Sequence, residues 1–230
     1  MPAEVPSLWS AAWIVARKDL AIELRTRSAF LSVVVFALLG LVIFFFAWDP
    51  TAVAAIDLAP GVLWVTFTFA ALLGLHRSFG VEAEERAIDA LIAAPIDREA
   101  IYLGKAMANV VFVSAVLVVS IPAVMLFYNL PIRGALPALF GVALLAAVGL
   151  VAVGTLFSAM TVNTRLAELL LPMLSLPFFV PVVLASAQAS TRLLAGRPVA
   201  EVMGWIRILI AFDVVFTVAC TLAFPHTLEE

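Results

Sequence analysis

The sequence predicts an all-α integral membrane protein with six transmembrane helices, an N-terminal interfacial helix and a cytoplasmic amphipathic helix between the second and third spans. Of its 230 residues, 65% are hydrophobic and 13% are charged, and the mean hydropathy is +1.17. Soluble domains are about 45–50% apolar and about 25% charged, so a soluble fold of this length would leave too much apolar surface in water. Six segments also reach the length of about 20 apolar residues that a bilayer requires.

Residues 1–27 are predicted to form an amphipathic helix at the membrane surface. Residues at spacings of four, three, four and four form one stripe, which consists of Trp9, Trp13, Ala16, Leu20 and Leu24. The basic residues between Arg17 and Arg27 lie on the other faces, and they interrupt any signal-peptide core. Tryptophan beside basic residues is typical of an interfacial helix, with Trp9 and Trp13 as its anchors. A solvated tail helix is the alternative.

A six-span domain is predicted over residues 28–224, followed by a cytoplasmic tail at 225–230. The spans are placed at residues 28–48, 57–75, 101–129, 134–160, 165–190 and 203–224. The first span contains no charged residue, the second carries Trp64, and the third contains Pro122. Small residues, which let neighbouring helices approach closely, recur in the fourth span as Gly141, Gly149 and Gly154.

The last two spans contain the candidates for a path or a gate. The fifth span has three prolines that remove backbone donors, namely Pro172, Pro177 and Pro181. They indicate either a static kink or a broken helix that lines a cavity. The sixth span has Asp213 near its middle, where a charge costs about 2.5–3.5 kcal/mol. Arg207 is too distant along the helix for an i,i+4 pair, so we expect Asp213 to face the interior, either partnered from another helix or protonated.

The loop between the second and third spans, residues 76–104, is predicted to contain the cytoplasmic amphipathic helix. Its apolar residues share one face, and Glu82 and Arg86 pair on the opposite face. Pro95 ends this helix, and Asp97 is placed to cap the next one. The carboxylates of the segment oppose anionic lipid, so a soluble partner is favoured over lipid or the protein's own spans as its cover. The predicted docking residues are Val81, Glu82, Glu85, Arg86, Ile88, Leu91 and Pro95.

A second, shorter cytoplasmic contact is predicted where the fifth span begins. It consists of Asn163, Arg165 and Glu168. A plain ion pair between Arg165 and Glu168 at the helix end is an equal alternative.

The orientation in the membrane follows from the basic residues, because nine of the 13 Lys and Arg fall on the side of the N-terminus. The positive-inside rule therefore places both termini in the cytoplasm.

Composition also excludes several classes of function. A net charge of -3 leaves no basic face for nucleic acid. A single cysteine, Cys220, excludes a disulfide framework, and the distant His76 and His226 form no metal-ligand cluster. A phosphate-binding loop is absent, since the nearest fragment, around Lys105, lacks the upstream glycine and the hydroxyl residue. We therefore expect that this chain does not hydrolyse ATP itself.

Two ordered sets of residues form a recognisable pattern. The first set is Ala59-Pro60-Gly61, Trp64, Leu75, Arg77, Phe79, Leu91, Pro95, Leu103 and Lys105. The second set is Gly154-Thr155-Leu156, Ala159, Arg165, Glu168, Leu171-Pro172 and Leu176-Pro177 through Pro181. The order of the spans and helices resembles an ABC-2-type permease, and these residues resemble the haem exporter protein B family of cytochrome c maturation (CcmB). His76 departs from the family pattern, in which an acidic residue commonly precedes the arginine.

The resemblance implies a permease subunit of an ABC complex in the bacterial inner membrane. Its implied partners are an ATPase of the CcmA type, membrane subunits of the CcmC and CcmD types, and a haem chaperone of the CcmE type on the outer face. ATP would be bound by the ATPase, and the helix in the loop at residues 76–104 would be the coupling helix on which it docks. No cofactor is assigned to this chain, and haem is a possible cargo. A generic ABC-2 permease that exports another substrate is the alternative.

Overall fold

The protein consists of α-helices throughout the part of the chain that the structure describes. The computed structural model describes residues 7–84, 96–131, 134–162, 164 and 166–227. The helices are α1 (Leu8–Thr26), α2 (Ser28–Ala47), α3 (Ala55–Glu84), α4 (Arg98–Phe127), α5 (Leu136–Thr161), α6 (Ala167–Leu194) and α7 (Val199–Thr227). Within these ranges, α2 to α7 are the six helices long and apolar enough to cross a membrane, which confirms the predicted six-span, all-α fold.

A tight turn connects α1 to α2. The Ser7 hydroxyl accepts from the Ser10 N–H at 3.4 Å and caps the start of α1. Arg27, between the two helices, has a left-handed backbone with φ of 53°. The Glu23 Oε1 accepts from the backbone N–H of Phe30 at 2.8 Å, so a side chain of α1 satisfies a free donor in the first turn of α2.

Contacts between helix ends show that successive spans run in opposite directions. The Arg98 guanidinium, at the start of α4, donates to the carbonyl of Pro225 near the end of α7 at 3.1 Å. At the other end of the bundle, the rings of Trp48 and Tyr128 lie 5.4 Å apart and join the ends of α2 and α4. We call the end with α1 and Arg98 the N-terminal side, and the end with Trp48 the opposite side.

The central helix is α5, which packs against α3, α4, α6 and α7. Every residue from 149 to 156 is buried. A Cβ added to Gly154 would lie 2.5 Å from the Leu75 side chain of α3, and Gly149 is similarly close to α7. These two glycines confirm that small residues admit close neighbours. The same expectation is wrong for Gly141, which is exposed and where an added Cβ would meet nothing within 4 Å.

The helix α6 continues without a break through all three of its prolines. Pro172 is half-buried, whereas Pro177 and Pro181 are exposed. The alternative of a broken helix that lines a cavity is therefore wrong at these positions. Proline is tolerated in a membrane helix because local adjustments and neighbouring groups satisfy the freed backbone. A role of the three prolines in a kink or gate stays a prediction.

The helices that flank the predicted docking segment are longer than expected. The second span was predicted to end at residue 75, but α3 continues as one helix through Glu84. The helix α4 begins at Arg98, and Asp97 occupies the N-cap position, as predicted. Its carboxylate makes no capping hydrogen bond, which corrects that detail. The Asp97 backbone carbonyl instead accepts from the Ala100 N–H at 3.0 Å.

Candidate functional site

The side chain of Lys105, in the second turn of α4, is 1% exposed. Its Nζ donates to the carbonyl of Ser78 in α3 at 2.8 Å and lies 3.2 Å from the Asp19 Oδ2 of α1. It also sits 4.5 Å from the centroid of the Phe79 ring. We call these four residues the Lys105 junction. One ammonium group thus connects α1, α3 and α4 on the N-terminal side.

The contacts of the Lys105 ammonium offset the cost of burying it. A buried charge is unfavourable unless it is paired and hydrogen-bonded, and this group has a carboxylate, a carbonyl and an aromatic face. The Asp19 side chain is 19% exposed and also lies 3.1 Å from the Nζ of Lys18. The junction is therefore buried on the α4 side and partly exposed on the α1 side.

One turn deeper, Asn109 extends the polar network to the central helix. Its Nδ2 donates to the Ser78 hydroxyl at 2.9 Å and to the Thr155 hydroxyl of α5 at 3.0 Å. Nearby, the Ser158 hydroxyl donates to the carbonyl of Leu75 at 2.8 Å. These three bonds join α3, α4 and α5, so a displacement of the junction is expected to reach the core of the bundle.

Aromatic contacts connect the same region to α7. The Tyr102 hydroxyl donates to the carbonyl of Ala152 at 2.8 Å, and the Tyr102 ring lies 5.5 Å from that of Phe224. The Phe79 ring also lies 6.1 Å from Phe224, which is fully buried. The end of α7 therefore packs on Phe79 of the junction and on the neighbouring Tyr102.

The helix α1 rests on α4 through small residues. A Cβ added to Gly104 would lie 2.6 Å from the Ala12 carbonyl oxygen and 2.6 Å from the Val15 side chain, so the two helices touch backbone to backbone. Ala16 is buried, so this member of the predicted stripe is covered by protein, unlike the two tryptophans. The described part of α1 exposes 68% of Trp9 and 58% of Trp13; their anchoring role stays a prediction.

Asp213 lies away from the Lys105 junction, in the interface between α7 and α5. It is 7% exposed, and an added Cβ at Gly149 would come 2.7 Å from its Oδ1. Among the described residues, neither carboxylate oxygen has a hydrogen-bond partner. Arg207 is exposed. The prediction that Asp213 faces the interior is confirmed, and a partner from another helix is absent from the described part.

Residues 10–230 match the model of the CcmB protein family. The chain belongs to the CcmB family. A heme exporter protein B of Rhodobacter capsulatus is 31% identical over 76% of this chain and 80% of the relative. A protein of the same name from Paracoccus denitrificans is 32% identical over 78% of this chain and 82% of the relative. One from Pseudomonas aeruginosa is 29% identical, with 80% and 82% covered.

In this CcmB-family chain, most of the predicted contact residues lie outside the described part. They are Glu85, Arg86, Ile88, Leu91, Pro95, Asn163 and Arg165. Val81 and Glu82 belong to the last turn of α3, although their side chains are not described. Glu168 is exposed in the first turn of α6. The two predicted contact surfaces for an ATPase therefore stay predictions.

Sequence reasoning missed the Lys105 junction. Lys105 was noted as a basic residue, as part of an incomplete phosphate-binding fragment and as a residue of the family resemblance, but its burial was not expected. Asp19, Ser78 and Asn109 were not singled out. A signal was present, because Tyr102, Lys105 and Asn109 follow at spacings of three and four and so share one face of an otherwise apolar span. Polar residues inside a span are functional candidates. Their partners on α1 and α3 could be found only from the tertiary structure.

Proposed function

We propose that this chain is the membrane subunit of an ABC-type haem exporter of cytochrome c biogenesis. It couples ATP hydrolysis by a separate ATPase subunit to haem handling and to release of the haem-loaded chaperone. The single observation that carries this proposal is the family match over residues 10–230. The protein lies in the bacterial inner membrane with both termini in the cytoplasm, which the distribution of Lys and Arg supports.

The ATPase, of the CcmA type, docks on the cytoplasmic segment between α3 and α4. The apolar side chains Val81, Ile88 and Leu91 enter a groove on the ATPase, and Asn163 with Arg165 makes a second contact. The continuity of α3 through Glu84 supports this role, because no flexible linker separates the start of the segment from the membrane span. ATP is bound and hydrolysed by the partner and not by this chain.

Closure of the ATPase pushes the docking segment, and both ends of the segment move together. Lys105 holds Ser78, just before the segment, against the first turns of α4, just after it. The ion pair to Asp19 carries the same movement to α1. The push is therefore delivered to three helices as one unit and not to a loose loop.

The movement then passes into the bundle through α5. Asn109 bonds to Thr155 and Tyr102 bonds to Ala152, so α5 follows α4. The helices α6 and α7 pack on α5, and the proline-rich α6 accommodates the shift. Haem is a cargo of the complex, which includes subunits of the CcmC and CcmD types and presents the CcmE-type chaperone on the outer face.

Co-purification with the ATPase tests the docking step. We expect the double variant Ile88→Asp, Leu91→Asp to lose the ATPase, because two carboxylates cannot enter an apolar groove without partners. The matched control is Val53→Asp, an exposed residue of the loop between α2 and α3 on the opposite side, which keeps the ATPase. Retention of the ATPase by the double variant, with chaperone release still driven by ATP, contradicts the proposal.

A further inference from the structure

A cavity of about 240 Å³ lies beside the Lys105 junction, between α1, α2, α3 and α4. Thr26, Ser28 and Arg77 in its lining are exposed, so the cavity opens to the surface. The first turn of α2 forms part of its wall, which places it where the chain enters the membrane. The volume is below the roughly 300–1,000 Å³ of pockets that enclose a drug-sized ligand, so the cavity suits a small polar group.

The lining carries its charged groups toward the N-terminal side and, apart from Asn109, becomes mainly apolar with depth. Arg77 and Lys105 lie nearer the N-terminal side, whereas Gly74 and Phe112 are about one or two turns further into α3 and α4. Ala29, at the start of α2, completes the apolar wall. The charged residues therefore lie where a phospholipid headgroup would be, and the apolar residues lie where its acyl chain would begin.

Two of the four ionisable groups in the lining are engaged with each other. Lys105 and Asp19 form the ion pair of the junction. Glu23 uses Oε1 to accept from Phe30, and its Oε2 has no hydrogen bond to any described residue. The Arg77 guanidinium likewise has no hydrogen bond or ion pair within the described part of the chain. One cation and one carboxylate oxygen are therefore available to a ligand.

We propose that this cavity binds the headgroup of a zwitterionic phospholipid that carries a primary ammonium group. The planar guanidinium of Arg77 holds the phosphate with two parallel hydrogen bonds, and Glu23 accepts from the ammonium. The beginning of one acyl chain lies over Phe112. A headgroup that lacks an ammonium group would leave the Glu23 carboxylate without a donor and beside the negative phosphate, which is unfavourable.

The bound lipid would connect α2 to the Lys105 junction. Glu23 already joins α1 to the first turn of α2, and Arg77 belongs to α3. A headgroup between these two side chains therefore bridges three helices at the turn around Arg27. This inference concerns the surrounding lipid and does not depend on what the complex exports.

Native mass spectrometry of the purified full chain, titrated with defined lipids, tests the proposal. We expect phosphatidylethanolamine to bind at least about tenfold more tightly than phosphatidylglycerol or phosphatidylcholine, because only the first offers both a phosphate and an ammonium donor. Arg77→Gln and Glu23→Gln are each expected to lose about tenfold in affinity for phosphatidylethanolamine. The matched control is Arg25→Gln, an exposed residue of α1 outside the cavity, which keeps the affinity of the wild type.

Thermal unfolding with and without the same lipids gives a second readout if a variant is poorly stable. The wild type and Arg25→Gln are expected to be protected by phosphatidylethanolamine, and Arg77→Gln is not. Equal binding of all three lipids, or equal binding by Arg77→Gln and the wild type, would overturn the proposal. The same unfolding experiment is also run with free phosphoethanolamine. If it protects the protein at the concentration at which the lipid protects, the cavity binds a soluble ligand and the lipid assignment is overturned.

Discussion

The Nζ of Lys105 lies 3.2 Å from the Oδ2 of Asp19, within a contact that joins the surface helix α1 to the membrane span α4. The same ammonium donates to the carbonyl of Ser78 at the other end of the predicted docking segment. A single buried cation thus holds together the three helices that meet where an ATPase is proposed to act.

Replacement Lys105→Met is expected to destabilise the protein by about 2 kcal/mol. Removal of one partner from a fully buried pair costs roughly 3–5 kcal/mol, and the loss is smaller here because Asp19 is 19% exposed and regains water. The measurement is the free energy of unfolding in mixed micelles. Lys18→Met is the matched control, and its effect should stay below about 1 kcal/mol because Lys18 is 38% exposed.

Addition of Asp19→Asn to Lys105→Met tests whether the two charges interact. The double variant is expected to recover part of the lost stability, because no carboxylate is then left without its buried partner. The recovery is partial, since Lys105 also contacts Ser78 and Phe79. Strict additivity of the two single effects would show that the pair makes no contribution.

Replacement Gly104→Ala is expected to displace α1 from α4. The new methyl group would lie 2.6 Å from the carbonyl oxygen of Ala12, and overpacking of this kind costs about 1–3 kcal/mol. Gly204→Ala is the control, because a Cβ there meets nothing within 4 Å. Protection of α1 from proteolysis measures the effect, and equal protection of both variants would contradict the close contact.

Asp213→Asn is expected to preserve or raise stability. Among the described residues the carboxylate has no hydrogen-bond partner, and a charge at mid-span costs about 2.5–3.5 kcal/mol, which the neutral amide avoids. Gly149→Ala should lower stability, since its methyl group would come 2.7 Å from Asp213 Oδ1. A large loss of stability in Asp213→Asn would instead reveal an essential charged partner.

Trp9 and Trp13 are expected to lie at the depth of the lipid headgroups. In chains that retain a single tryptophan, the fluorescence of either residue should be quenched more by shallow than by deep brominated lipids. Trp64 provides the control, because it is 1% exposed and should be quenched by neither. Quenching of Trp9 by aqueous iodide, together with no quenching by brominated lipid at either depth, would support a solvated helix.

The spans were predictable from the sequence because hydropathy depends only on local composition. The run from Ser28 to Ala47 contains no charged residue, and its assignment required no knowledge of neighbours. The interior position of Asp213 was predictable for a similar reason, since a charge in the middle of an apolar helix has few favourable places. These features belong to single helices.

The Lys105 junction was not predictable because it depends on residues far apart in the chain. Asp19 and Lys105 are separated by 86 positions, and no helical period relates them. The exposure of Pro177 and Pro181 was not predictable for the same reason. The packing of α6 on α5 determines which side of α6 faces the lipid. The sequence indicated that these residues are unusual but not which way they face.

The most direct measurement is ATP-driven release of haem-loaded chaperone by the reconstituted complex, with Lys105→Met compared with Lys18→Met at equal amounts of assembled ATPase. Transmission through the junction predicts that Lys105→Met still binds the ATPase but releases the chaperone at least about tenfold more slowly, a barrier increase of about 1.4 kcal/mol. Lys18→Met is predicted to release it at the rate of the wild type. Unchanged release by a fully assembled Lys105→Met complex would contradict the role of the Lys105 junction.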